Sequence, residues 1–311
     1  MALGTAVTVN HSFVSGKADG ADPTFVQPSK WNAAEVFGAG SDGQIVARDS
    51  SQTNGASWVD PFLWGNATIQ VNSTTQIQLN LGQIPLKVGG VWINRRVTAV
   101  VTLSPTVSAN TTYFVYAFDN AGVTTLEAVV TGHSTDSAAG VEIKTGDATR
   151  TLVGMIRANN SGNLVDAGSQ RFAISWFNRK PKFGTNNFAS NKTTTSASAV
   201  EIDNTTRVEY LTWSDSDVNL SGSAPISPAG GTTVCGILIA VDGSAVNSSL
   251  AFSETNPTNA FNAPVSGPVR SSEGYHHADL FGFSDGTRVV TFQGGTAGNT
   301  SVTQWNVQVQ G

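Results

Sequence analysis

TTYFVYAFDNAGVTTLEA, residues 111–128, decides how this chain is built. Phe114, Tyr116 and Phe118 recur at every second position, the period at which the side chains of a strand share one face. The Asp-Asn-Ala-Gly run after them supplies residues that tolerate positive φ, where a chain reverses tightly. The stretch reads as strand, turn and strand, and the same grammar extends in both directions.

Upstream, TQIQLNLG (75–82) sets Ile77, Leu79 and Leu81 on one face and Gln76, Gln78 and Asn80 on the other, a half-buried strand. Downstream, RTLVGMIRANNSGNLVD (150–166) runs from Leu152 to Ile156 into an Asn-Asn-Ser-Gly turn, and RFAISWF (171–177) closes the group. Residues 178–187, NRKPKFGTNN, hold the densest basic cluster and read as a linker between domains, with a basic binding patch as the alternative. Beyond it, AVEI, RVEYLTW, VCGILIAVDGSAV, SLAF, ADLFGF, TRVVTF and TQWNVQV are short strands between Gly, Ser, Asn and Pro, the pattern of a β-sandwich or jelly roll. One weak helical period appears at KWNAAEVFG (30–38), behind Ser29 as a cap.

The expected fold is therefore all-β and multi-domain: an extended attachment region at 1–62, a middle β module at 63–180 and a sandwich at 184–311. The first region scatters Phe13, Phe25, Trp31, Phe37, Ile45, Val46 and Trp58 through small polar residues, with no period that would enclose them in a core of their own. They are expected to be buried against sister copies of the chain. Trp31, Phe37, Ile45, Val46, Trp58 and Trp64 are the candidate oligomer and attachment contacts.

Composition narrows the function. Charged residues make up 13% of the 311 positions, against about 25% in ordinary domains, and the net charge is −5. A nucleic-acid binder needs a positive face to replace phosphate counterions, so that class is not expected. A surface of amides and hydroxyls suits close packing with copies of itself. The amino terminus carries no basic segment ahead of an apolar run, and no stretch of about 18 apolar residues occurs, so neither export nor membrane insertion is expected.

Chemistry is sparse. Cys235, the single cysteine, excludes an intrachain disulfide and lies in an apolar strand as a small hydrophobe. His276 and His277 are neighbours, so a regular strand points them to opposite faces and they do not chelate one metal; neither metal nor cofactor is expected. Glu201 with Asp203, and Asp215 with Asp217, have the i, i+2 spacing a carboxylate pair would use, but WSDSDVN reads as a turn whose Asp and Ser cap backbone groups, and Glu201 as an outward strand position between Val200 and Ile202. Asp119, Asp242 and Asp285 precede glycines as turn residues do. Nucleotide and hydrolase motifs are missing, and no enzyme is expected. A binding role fares better: Tyr275, His276 and His277, after Glu273-Gly274, place an aromatic ring and hydrogen-bonding groups at an expected loop edge, where a receptor could be held.

HSFVSGKADGADPTFVQPSKWNAAEVFGAGSDGQIVARDSS (11–51) resembles the amino-terminal segment of tail-fibre and related virion proteins of tailed bacteriophages and prophages. VEIKTGDATRTLVGM (141–155) and SWFNR (175–179) are similar to a module that recurs in the same proteins, and RVEYLTW and EGYHHADLFG resemble their carboxy-terminal parts. The resemblance implies a virion structural protein, trimeric as fibres usually are, joined to other virion proteins through its first region and to a host glycan or protein through its last. It carries over no catalytic residue. A head fibre, collar fibre or decoration protein is the structural alternative. A polysaccharide depolymerase is disfavoured, because no repeat of about 20 to 30 residues marks a β-helix.

Overall fold

The computed structural model describes residues 63–230, 233–246, 262–295 and 302–311, with the backbone of residues 7–9, 35–37, 45–48, 56–59, 251–255 and 261. These residues form an all-β protein whose one other element is a short 3-10 turn, Asn204–Thr206. The chain divides into two compact units, Met1–Trp64 and Gly65–Gly311.

In the first unit β1 (Val7–Val9) pairs antiparallel with β2 (Glu35–Phe37), and β3 (Ile45–Arg48) pairs with β4 (Ala56–Val59). The weak helical period at 30–38 is overridden at its end: Val36 and Phe37 are β-favouring residues and Phe37 stands opposite Val7. In the second pair Val46 stands opposite Trp58 and Ile45 opposite Val59. Trp31 and the side chains of Phe37, Ile45, Val46 and Trp58 lie outside the described residues. Trp64 is 43% exposed.

The second unit begins with β5 (Ile69–Ser73), β6 (Gln76–Leu79), β7 (Gly82–Val88), β8 (Val91–Val97), β9 (Val101–Leu103), β10 (Thr112–Asn120), β11 (Val123–Val129), β12 (His133–Thr135), β13 (Glu142–Lys144) and β14 (Asp147–Arg157). The two-residue strands β15 (Asp166–Ala167) and β16 (Gln170–Arg171) and then β17 (Ala173–Ser175) follow. The expected hairpin is β10 and β11, closed between Asn120 and Val123 with Ala121 and Gly122 at positive φ. Its sheet runs β11-β10-β14-β13-β12, with β17 on β14. One face packs Val115, Ala117, Val153 and Ile156 against Ile69, Ile77, Leu79, Ile84 and Leu86 of β5, β6 and β7. Leu81 leaves the expected apolar row: β6 ends at Leu79, and Leu81 is 60% exposed where the chain turns.

The remainder holds β18 (Pro181–Asn187), β19 (Lys192–Thr194), β20 (Val200–Glu201), β21 (Val208–Thr212), β22 (Asp217–Pro228), β23 (Thr233–Val241), β24 (Ser244–Ala245), β25 (Ala251–Thr255), β26 (Phe261–Arg270), β27 (Gly274–Phe283), β28 (Val290–Phe292) and β29 (Gln304–Gln310). They make a sandwich. One sheet runs β15-β16-β21-β27-β23-β24, with β20 on β27 and β25 on β23; the other runs β18-β29-β22-β28-β19, with β26 on β22. The core between them joins Tyr210, Ile237, Ile239 and Leu280 of the first sheet to Leu220, Ile226, Phe292, Trp305 and Val307 of the second. Cys235 lies in this core, and burial pushes its thiol up to about 11.

Residues 178–187, expected as a linker, instead build a strand. β18 is in full antiparallel register with β29, from Pro181 opposite Gln310 to Asn187 opposite Gln304. The cations are committed: Lys182 Nζ is 2.7 Å from Asp166 Oδ2, and Arg179 Nη1 is 2.6 Å from Asp215 Oδ1. The middle module and the sandwich accordingly share one compact unit. A third apolar cluster, Tyr116, Leu152, Met155, Ile174, Leu211 and Trp213, draws its members from both, with Phe114, Trp176 and Tyr275 packed on it. Each large side chain buried there contributes about 1.5–3 kcal/mol.

Candidate functional site

β27 runs between β21 and β23, so its side chains alternate between the sandwich core and the outer face of the sheet. Ala278 and Leu280 belong to the core, and Tyr275, His277 and Asp279 therefore face outward. The register sets Glu209 opposite His277, and Leu211 opposite Tyr275. The alternation in RVEYLTW likewise sends Val208 and Tyr210 inward and leaves Glu209 beside Tyr275.

These outward groups form a polar ladder of two bonded clusters, which meet where the Tyr275 and His277 rings lie 6.3 Å apart. Tyr275 donates its hydroxyl to Glu209 Oε1 at 2.6 Å, and Gln170 on the neighbouring β16 donates its amide to Glu209 Oε2 at 2.6 Å. Arg157 lies over the Tyr275 ring, 3.8 Å from its centroid. His277 Nδ1 meets Asp279 Oδ2 at 2.7 Å, and Arg207 Nε stands 3.3 Å from Asp279 Oδ1. Arg207 also forks onto Glu201, with Nε to Oε1 at 2.8 Å and Nη2 to Oε2 at 2.9 Å.

The electrostatics follow from burial and pairing. Asp279 is 1% exposed, and desolvation raises its carboxyl above the usual range. The bond to Asp279 raises the His277 imidazole above its ordinary value, and burial opposes the rise. Burial, and then the bond to Glu209, raises the Tyr275 phenol, which stays a donor. Every carboxylate of the ladder accepts from a named cation, hydroxyl or amide. The face is half-buried, with the His277 side chain 14% exposed and Tyr275 packed on the cluster shared with the middle module, and the edges that reach solvent carry fixed polar groups of the kind that hold a polar ligand.

The sequence-derived trio separates. Tyr275 and His277 lie on the outer face, whereas His276, 6% exposed, is bound to Asp242 Oδ2 at 2.6 Å and to the Ser272 carbonyl at 2.9 Å, with its ring 5.8 Å from that of Tyr210. The expected loop edge is the start of a central strand. Gln170, Arg207, Glu209 and Asp279 were not singled out from the sequence, although Arg207 and Glu209, like Tyr275, His277 and Asp279, recur at the i, i+2 spacing of one strand face.

The i, i+2 carboxylate pairs are turn and ion-pair residues. Glu201 holds Arg207; Asp203 caps the 3-10 turn through the Thr205 N–H and pairs with Lys192; Asp215 meets Arg179; and Asp217 meets Arg270. Asp119 accepts from the Gly122 N–H, Asp242 itself adopts φ +51° before Gly243, and Asp285 accepts from the Thr287 and Arg288 N–H groups. Among the described residues no group of three or more His, Cys, Asp or Glu is arranged to hold a metal. A cavity of about 280 Å³ in the middle module is lined by Arg95, Arg96, Thr98 and Thr124, with Arg95 already paired to Asp119.

No protein-family model matches the chain, and no curated protein does. Among solved structures it is similar to one of infectious bursal disease virus Gx strain, at 10% identity and TM-score 0.26 over 81% of this chain and 78% of that one. It is also similar to the mosquito-larvicidal Cry4Aa toxin from Bacillus thuringiensis, at 8% identity and TM-score 0.20 over 80% of this chain and 53% of that one. An exo-β-1,3-galactanase from Phanerochaete chrysosporium matches at 10% identity and TM-score 0.18, over 91% of this chain and 60% of that one. At these scores the likenesses carry no functional weight.

Proposed function

We propose that the chain is a structural component of a tailed-bacteriophage virion, a fibre-like homotrimer that touches the host surface through the outer face of its sandwich. The observation that carries this reading is the polar ladder from Gln170 and Glu209 through Tyr275 and His277 to Asp279 and Arg207. It presents recognition groups on strands that the shared aromatic cluster ties to the middle module. The resemblance of residues 11–51 to virion attachment segments supports the same assignment, with the first region joining sister copies and other virion proteins. Three copies would present three such faces, and linked sites raise the effective concentration of each weak contact with a glycan or protein receptor. Low charge and packing through amides and hydroxyls suit assembly with identical neighbours and give no footing for nucleic acid.

Competition tests the reading. The purified full chain, added to host cells before the phage, is expected to slow adsorption, and the His277→Gln variant is expected to need at least tenfold more protein for the same effect. Full-strength inhibition by a variant that has lost this face would remove the sandwich from receptor binding.

A further inference from the structure

His133 opens β12, and its imidazole sits where the middle module meets the sandwich, ringed by Phe114, Trp176 and Trp213 at centroid distances of 5.5, 5.6 and 6.1 Å. Nδ1 lies 2.5 Å from Glu142 Oε2, and Nε2 lies 3.0 Å from Glu273 Oε1. An ionised carboxylate only accepts, and a neutral imidazole has a single N–H, so both contacts are hydrogen bonds only when the ring carries two protons.

The two contacts differ in what they join. Glu142 lies on β13, the partner strand of β12, and the hydroxyl of Thr135 donates to its other oxygen. Glu273 is 140 residues away, immediately ahead of β27. We propose that the second proton of His133 is a latch between the middle module and the sandwich: when it leaves, the remaining proton stays with Glu142 and Glu273 is released.

The surrounding charges are already engaged. Glu127 of β11 is held by Lys144 of β13 at 3.0 Å and by Arg150 of β14 at 3.3 Å. From β10, Tyr116 donates its hydroxyl to the Thr131 carbonyl. After β17, Arg179 covers Trp176 and Trp213 while pairing with Asp215, which follows β21. On β27, Tyr275 faces Glu209 of β21 and Arg157 of β14. Glu142 and Glu273 are thus the carboxylates that touch the ring.

The direction of the switch follows. The bond to Glu273 raises His133 above its ordinary 6.5, burial opposes this, and the bond to Glu142 adds to the rise. A raised imidazole contributes its stabilisation in full below about 6.5 and loses it as pH climbs through the folded value, so the latch opens on the alkaline side. Glu273 is two residues from Tyr275, which places the latch at the entrance to the outer-face ladder.

Long-range ¹H–¹⁵N spectra of the full chain test this between pH 5.5 and 9.5, with the His133 signals assigned against His133→Gln or through contacts to the Trp213 ring. The expected result is a doubly protonated ring at pH 6.5 that titrates above that value. Amide protection at residues 273–275, corrected for intrinsic exchange, falls at least tenfold over the same range while β29 keeps its protection. Glu273→Gln should lower the titration and abolish the fall; if that variant does not fold, the wild-type measurement decides alone. A neutral ring at pH 6.5, or protection unchanged across the His133 titration, overturns the latch.

Discussion

Trp213 donates its indole N–H to the Ser175 carbonyl at 3.0 Å, with both residues buried, and this bond ties the sandwich to the last strand of the middle sheet. Trp213→Phe keeps most of the apolar contact and removes the donor. Leaving a buried acceptor short of a partner costs about 1–3 kcal/mol. Urea unfolding of the pure variant should show that loss in midpoint with an unchanged slope.

Gly154 stands in β14 where a methyl group has no room. An added Cβ would lie 2.6 Å from the Ile174 carbonyl oxygen and 2.2 Å from Ile69 Cδ1, and the backbone oxygen is part of the β14–β17 pairing. Gly154→Ala is expected to destabilise by about 1–3 kcal/mol through overpacking. Thermal melting would read this as a lower midpoint, and an unchanged midpoint would contradict the close approach.

Arg207→Met removes the cation shared by Glu201 and Asp279. Breaking a buried pair costs about 3–5 kcal/mol, but the Arg207 side chain is 36% exposed, so solvent screening lowers the expectation to about 1–2 kcal/mol. The loss should shrink as pH falls and Asp279, already raised by burial, takes up a proton. Adding Asp279→Asn should restore part of the stability at neutral pH.

Light scattering on the full chain bears on the assembly. The proposed fibre gives the mass of three chains, and dilution should not release monomer until the β3–β4 region loses its order. A stable monomer would undo the assignment of Ile45, Val46 and Trp58 to subunit contacts.

Local grammar made much of the fold legible. Alternation identified β10, β11, β21, β27 and β29, and Gly or Asp placed the turns at 120–122 and 242–243. It failed on β22 and β26, the ten-pair antiparallel ladder from Asp217 opposite Arg270 to Ile226 opposite Phe261. Their Ser, Gly and Pro content reads as loop. Pro264 and Pro268 are tolerated because, among the described residues, β26 pairs with β22 alone and an edge strand can lack N–H donors. Val218 and Leu220 still alternate inward and were the signal that was missed.

The candidate site divides the same way. Tyr275 and His277 were visible as residue types on a strand, and the burial of His276 depends on Asp242 from a different turn. His133 with Glu273, or Trp213 with Ser175, could not be paired from a single sequence, because nothing local records which of many distant segments will meet. The basic run at 178–187 misled for a related reason: its charges look like a solvated linker until Asp166 and Asp215 arrive from elsewhere in the fold.

Immunogold electron microscopy of tailed particles purified from cells that make this chain tests the proposed virion assignment most directly. Antibody raised against the purified full chain is expected to decorate an appendage of the tailed particle at a fixed position. Particles that assemble without the chain, while it is made in the same cells, would contradict the assignment.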